Sequence, residues 1–310
     1  MDFTKVLSNE EVVALTLRSL YAGYGYQQYK MSKFEEYDLY VRNKDFLISD
    51  SVITFTDTDG RLMALKPDVT LSIIKNGKDG DGLMKVYYNE NVYRVSKGTR
   101  SFKEIMQVGV ECQGEVNQEA VTEVMELALK SLEVIGANNA LAISHLDIIK
   151  GVLDEFGIKG GSAKELTGYL GAKNRGGILK VCEESSLSAK QTEVILNLVN
   201  VCGAPSVVLT ELDSFKINQT TEVAVEELKE VVKKLEAKGY GDRLVIDFSV
   251  INTLKYYNGM AFNGFVEGIP QSVLSGGEYD NLMKKMGRKS KAIGFAVYLD
   301  ELFKLGTKEA

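Results

Sequence analysis

From about Ile149 to Lys238 the apolar residues of this chain recur at the three-to-four spacing of a helix, whereas on either side they mostly alternate. Two periods in one chain ask for strands and helices in separate stretches, not for a regular βαβ repeat. Inside the stretch, "IIKGVLDEF", "AKELTGYL", "GILKVCEES", "SAKQTEVILNLVNV" and "EVAVEELKEVVKKLEAKG" carry the helical period between short polar or glycine breaks. Outside it, "SVITFTDTDGRLMALKPDVT" alternates, turns at Asp59-Gly60 and alternates again, as a hairpin does. "LMKVYYNENVYRV" and "EIMQVGVECQG" predict two strands joined by a charged loop, and "ALAISHLDI" predicts another. After Gly239 the strands return in "RLVIDFSVI", "YYNGMAFNGFVE" and "SVLSGG". Three helices are expected in these outer parts. "NEEVVALTLRSLYAGYGY" opens on Ser8 with Glu11 three residues on, a capping box, carries Val12, Leu15, Leu17 and Leu20, and stops at Gly23. "NQEAVTEVMELALKSLEVIG" ends at Gly136, and "NLMKKMGRK" is the last. The expected class is α+β: a mainly antiparallel sheet flanked by helices, with residues 1–148 and 239–310 as two parts of one core and 149–238 as a helical insertion.

Composition removes several functions. The net charge is −6, from 37 basic and 43 acidic residues, which argues against broad nucleic-acid binding. No apolar run approaches the roughly 18 residues of a membrane span, and the start reads as no signal peptide, so the cytoplasm is the simplest compartment. Three cysteines without CxxC spacing and a single histidine suggest no metal centre, and no cofactor is called for. His145 sits in an apolar strand and is expected to be a satisfied core histidine. "GKDGDG" lacks the helix and the Lys-Ser/Thr of a phosphate loop and reads as a surface turn.

Four stretches carry chemistry. In "LKPDVT", Pro67 stops a strand and leaves Asp68 and Thr70 at its end, where polar side chains can converge on a ligand. Arg94 precedes a basic loop, and on the returning strand Gln107, Gly109 and Glu111 share one face, the glycine leaving room. A Gln and a Glu flanking a Gly on one face make a costly core unless something pairs with them. "LSGGEYDNLM" brings Gly276 and Gly277, a backbone that a ligand can approach closely. "TLKYYNGMAF" sets Tyr256 and Tyr257 side by side before an Asn-Gly turn; at most one phenol faces a given layer, and a buried one needs a partner.

In this order the stretches resemble the catalytic core of class II histidyl-tRNA synthetases. "LKPDVT" is similar to that family's Arg-Pro-Glu-x-Thr stretch, and "VYRVSKGTRSFKEIMQVGVECQG" to its motif 2 hairpin. "NTLKYYNG" resembles its Arg-Gly-Leu-Asp-Tyr-Tyr motif, "SGGEYDNL" its Gly-Gly-Arg-Tyr-Asp, and "AIGFAVYLDEL" its motif 3. The resemblance implies a class II synthetase-like sheet and a histidine pocket. Glu111 and Tyr257 would meet the imidazole, with Tyr256 beside them, and Asp68, Thr70 and Gln107 the α-ammonium. The motif arginines are replaced by Asn252 in the histidine motif, Glu278 in Gly-Gly-Arg and Glu301 in motif 3, and Lys255 stands where the histidine motif has its Asp. Arg94, Arg100 or Lys255 would have to meet a ligand carboxylate or phosphate. With the chain ending nine residues after Glu301, no anticodon-binding domain is expected.

A synthetase-like core with a kept pocket and missing arginines resembles the regulatory subunits of ATP phosphoribosyltransferase. That likeness implies no catalysis, partnership with a short-form catalytic subunit, a homodimer within a hetero-octamer, L-histidine as effector, no membrane and no tRNA. A truncated synthetase-like enzyme and a histidine sensor outside the pathway remain the alternatives.

Overall fold

The computed structural model describes residues 6–44, 47, 52–77, 80, 82–95, 101–251 and 257–302. The first helix, α1 (Asn9–Gly23), starts as its sequence dictates: the Ser8 hydroxyl accepts from Glu11 N, and the Glu11 carboxylate accepts from Ser8 N at 2.8 Å. Its buried residues are Ala14, Leu17 and Tyr21, whereas Val12 and Leu15 are 40% and 47% exposed. The buried stripe is thus rotated from the expected one, because the large Tyr21 reaches the core.

Strands β1 (Gln27–Gln28) and β2 (Phe34–Glu36), helix α2 (Tyr37–Arg42) and strands β3 (Thr54–Thr56) and β4 (Leu62–Leu65) follow. β3 and β4 form the expected hairpin around Asp59-Gly60 and pair with β2 as a small separate sheet. Helix α3 (Thr70–Asn76), unforeseen from the sequence, begins at Thr70 itself. The long strands β5 (Leu83–Val95) and β6 (Phe102–Gly114) pair over their whole length, from Leu83↔Gly114 to Val95↔Phe102. Helix α4 (Gln118–Ile135) is capped by the Asn117 side chain, and strand β7 (Asn139–His145) stops at His145, where the expected strand ran on to Ile148.

Helices α5 (Leu146–Glu155), α6 (Gly160–Gly171), α7 (Arg175–Glu184) and α8 (Ala189–Asn200) come next. They are followed by strand β8 (Cys202–Gly203), α9 (Pro205–Val208) and α10 (Gln219–Ala237). β9 (Leu244–Asp247), β10 (Asn258–Val266), β11 (Leu274–Glu278), α11 (Asp280–Lys285), β12 (Lys291–Tyr298) and a 3₁₀ turn (Leu299–Leu302) complete the described chain.

The main sheet has nine strands in the order β1-β5-β6-β12-β11-β10-β7-β9-β8, antiparallel except at β1/β5 and β7/β9. Its expected α+β character holds. One face carries Tyr87, Val110, Phe295 and Phe262 and packs on α1 and α4, with the Tyr21 ring 5.9 Å from Phe295 and its hydroxyl 2.9 Å from Ser131. Side chains of α5 to α10 belong to the same hydrophobic cluster, and β8 adds to the sheet edge. Between Leu146 and Ala237 the elements are helices α5 to α10, a 3₁₀ segment (Glu211–Phe215) and that short strand. Among the described residues no helix is long and apolar enough to cross a membrane.

Candidate functional site

The opposite face of the sheet is built from small residues. Across neighbouring strands run Ala142, Asn263, Ser275, Ala296 and Gly109, and beside them Ser144, Ala261, Gly277, Gly294 and Glu111. Where a sheet carries so few large side chains, the layer above cannot close on it. A cavity of about 230 Å³ results, walled by Asp68, Tyr88, Arg94, Gln107, Glu111, Tyr257, Tyr279 and Tyr298 among others. The room at Gly109 is taken by the protein itself: a Cβ there would overlap the Tyr88 hydroxyl and the Phe295 carbonyl oxygen. Because that carbonyl is backbone, we expect Gly109→Ala to destabilise the fold by about 1–3 kcal/mol. A urea midpoint equal to the parent's would contradict it.

Glu111, 2% exposed, lies at the bottom of the cavity. Thr70 Oγ1 donates to its Oε1 at 2.5 Å, and the Tyr279 hydroxyl donates to its Oε2 at 2.6 Å. Gln113 Nε2 donates in turn to the Tyr279 oxygen at 3.1 Å. Burial pushes the Glu111 carboxyl up to about 8, against the pull of those two hydroxyls, and nearby Asp68 adds to the rise. Gly294 makes the position tenable, since any Cβ there would overlap the Glu111 carboxylate.

Asp68 and Thr70 reach the cavity because the turn between β4 and α3 is tied down. Lys66, fully buried, pairs with Glu90; Tyr93 N donates to Lys66 O at 2.9 Å; Arg94 Nε donates to Pro67 O at 2.9 Å. Asp68 accepts from Leu71 N, in the first turn of α3, at 2.9 Å. Burial raises its carboxyl above the usual range, opposed by that N–H and by Arg94. Among the described lining residues the cavity thus has two acids, Asp68 and Glu111, against one base, Arg94.

Asp68, Thr70, Gln107, Glu111, Tyr257 and Arg94 therefore meet in one cavity, as the sequence reading grouped them. Arg100, Lys255, Tyr256 and Asn252 lie outside the described residues. The two glycines part company. Gly277 is on the cavity side of the sheet but lies under the Tyr257 ring and does not line the cavity, whereas Gly276 faces the other side, beneath Phe262 and Phe295. Period two puts adjacent residues of a strand on opposite sides of the sheet. Asn258-Gly259 is not a turn either: both residues lie in β10, at a register shift where Gly259 takes φ +57°. Among the lining residues that sequence reasoning missed are Tyr88, Tyr279, Tyr298, Asn263, Ser272 and Ser275. Tyr279 was legible one position after Glu278 in a quoted motif, whereas Tyr88 and Tyr298 needed the register opposite Gly109 and Gln107.

Glu278 is turned out of the cavity and accepts from Met260 N at 2.7 Å, holding the bulge; burial raises its carboxyl to about 7. His145, 1% exposed, has Nε2 3.2 Å from Glu227, but its Nδ1 has no partner among the described residues. It is a core histidine, only half satisfied.

A protein-family model described as histidyl-tRNA synthetase matches residues 5–302. A curated relative from Acetivibrio thermocellus, named ATP phosphoribosyltransferase regulatory subunit, is 27% identical over 91% of this chain and 68% of its own length. A solved structure from Bacillus halodurans C, titled ATP phosphoribosyltransferase regulatory subunit/histidyl-tRNA synthetase, superposes with a TM-score of 0.85 at 23% identity, over 96% of this chain and 79% of that one. A chain of an ATP phosphoribosyl transferase complex from Thermotoga maritima has the same fold, with a TM-score of 0.72 at 17% identity over 96% of this chain and 97% of that one.

Proposed function

The chain belongs to the histidyl-tRNA synthetase family, and within that family we propose that it is a non-catalytic regulatory subunit of ATP phosphoribosyltransferase in histidine biosynthesis. It activates a short catalytic subunit and relays feedback inhibition by histidine, as a homodimer within a hetero-octamer. What supports this reading is a contrast within the chain: among the described residues, acceptors suited to an amino acid line the cavity, while the positions where the resemblance puts synthetase arginines hold Asn252, Glu278 and Glu301. Glu111 and Tyr257 suit an imidazole, and Asp68, Thr70 and Gln107 suit an α-ammonium, because acceptors outnumber bases around the cavity. Arg94 is the described candidate for the ligand carboxylate.

Adenylation needs donors aimed at the charge that develops on the phosphates, each contributing roughly 10²- to 10³-fold in rate. Where the resemblance puts synthetase arginines, this chain has Glu278, spent on Met260 N, and Glu301. The curated relatives that carry the regulatory-subunit name along more than nine-tenths of this chain support the same conclusion.

Two measurements test it. Histidine-dependent ATP–pyrophosphate exchange is expected to stay at background. Mixing with a purified short catalytic subunit is expected to give a complex by light scattering, a higher phosphoribosyl-transfer rate and inhibition by histidine. Exchange above background favours the synthetase-like alternative, and no complex with no rate change overturns the proposal.

A further inference from the structure

The hydrogen-bond chain behind Glu111 has a direction. Tyr279 is 1% exposed, and its hydroxyl has one proton and lies 2.6 Å from Glu111 Oε2 and 3.1 Å from Gln113 Nε2. An amide nitrogen only donates, so the phenol oxygen accepts from Gln113 and its single proton goes to Glu111. Were the Gln113 carbonyl oxygen turned to the phenol instead, it would compete with Glu111 for that proton. Gln113 is itself 5% exposed, so water does not readily take its place.

We propose that Gln113 is a positioning residue of the ligand site: its amide commits the Tyr279 proton to Glu111 and so favours the ionised carboxylate, the form that accepts from the ligand. The inference deepens the histidine reading of the cavity and rests on it for the identity of the ligand. Thr70 already donates to the other oxygen, so both carboxylate oxygens are held by hydroxyls, and their remaining lone pairs are left for an N–H. Hydrogen bonds in series strengthen one another, so the Gln113 donor makes Tyr279 the better donor. Charged and titratable neighbours come from every side: Asp68 from the turn before α3, Tyr88 and Arg94 from β5, Tyr257 ahead of β10, Tyr279 ahead of α11, and Tyr298 from β12. Only Arg94 among them is a cation; its Nε is bonded to Pro67 O and its charge acts on Asp68 and Tyr298 rather than on Glu111. The two hydroxyls are thus the groups that favour the ionised carboxylate.

The test follows the Glu111 carboxyl carbon by NMR through a pH titration of the ligand-free full chain, its resonance assigned by its loss in Glu111→Gln. The parent midpoint is expected near 8. Gln113→Met, similar in volume and without a donor, moves it upward by about one pH unit. Gln113→Glu moves it further, because a second carboxylate competes for the Tyr279 proton. The pH at which histidine affinity changes, read by calorimetry, moves with it. A merely structural role lowers the melting temperature of the variants and leaves the carboxyl midpoint where it was, and that result overturns the proposal. A parent that binds no histidine at any pH overturns the ligand reading instead, while the carboxyl titration still decides the role of Gln113.

Discussion

Glu111→Ala lowers the affinity for histidine by roughly 5- to 150-fold, the effect of leaving a buried N–H unpaired at about 1–3 kcal/mol. The size follows from where the carboxylate sits. It is 2% exposed and held between Thr70 and Tyr279, with Gly294 leaving the space beneath it. Truncation takes the acceptor away from the Thr70 and Tyr279 hydroxyls as well as from the ligand's imidazole. Tyr257→Phe costs less, since the ring that covers Gly277 stays and one hydroxyl goes. Activation of the catalytic partner survives both changes if assembly uses another surface. Isothermal titration with histidine, beside inhibition curves of the mixed complex, measures each effect. An alanine variant that binds and responds like the parent sinks the pocket assignment.

The ligand-free protein loses stability as pH rises from about 4.5 to about 8. In the unfolded chain Glu111 gives up its proton near the ordinary 4.5, whereas in the fold burial holds the proton until about 8. Between those values the native state binds more protons, so raising the pH favours unfolding by roughly 1.4 kcal/mol per pH unit. The contribution is fully present below 4.5 and gone above 8. Glu278 acts with the same sign from 4.5 to about 7, for the same reason. Glu227 acts oppositely: its bond to His145 holds the carboxyl below its ordinary value, so its contribution is lost on acidification. Glu111→Gln removes the first of these terms and keeps the side chain's shape. The variant is therefore expected to match the parent in urea midpoint at pH 4 and to exceed it at pH 9, while binding histidine poorly. Superimposable stability profiles would show that Glu111 ionises in the fold as it does in water.

The main elements were legible because period is local. The capping box at Ser8, the hairpin at Asp59-Gly60, the paired runs of β5 and β6 and the helices of 149–238 each follow from residues a few positions apart. So did the grouping of Asp68, Thr70, Gln107, Glu111 and Tyr257, since their order along the chain carried the resemblance. Long-range register was not legible. It alone set Tyr88 opposite Gly109, so that the space left by a missing side chain went to a phenol and not to a ligand. It sent Gly276 to the helix-packed face, turned Asn258-Gly259 into a bulge held by Glu278, and joined Gln113 to Glu111 through Tyr279. The physical reason is that a strand's sequence specifies which residues share a face, whereas the neighbour strands decide what each of those residues meets.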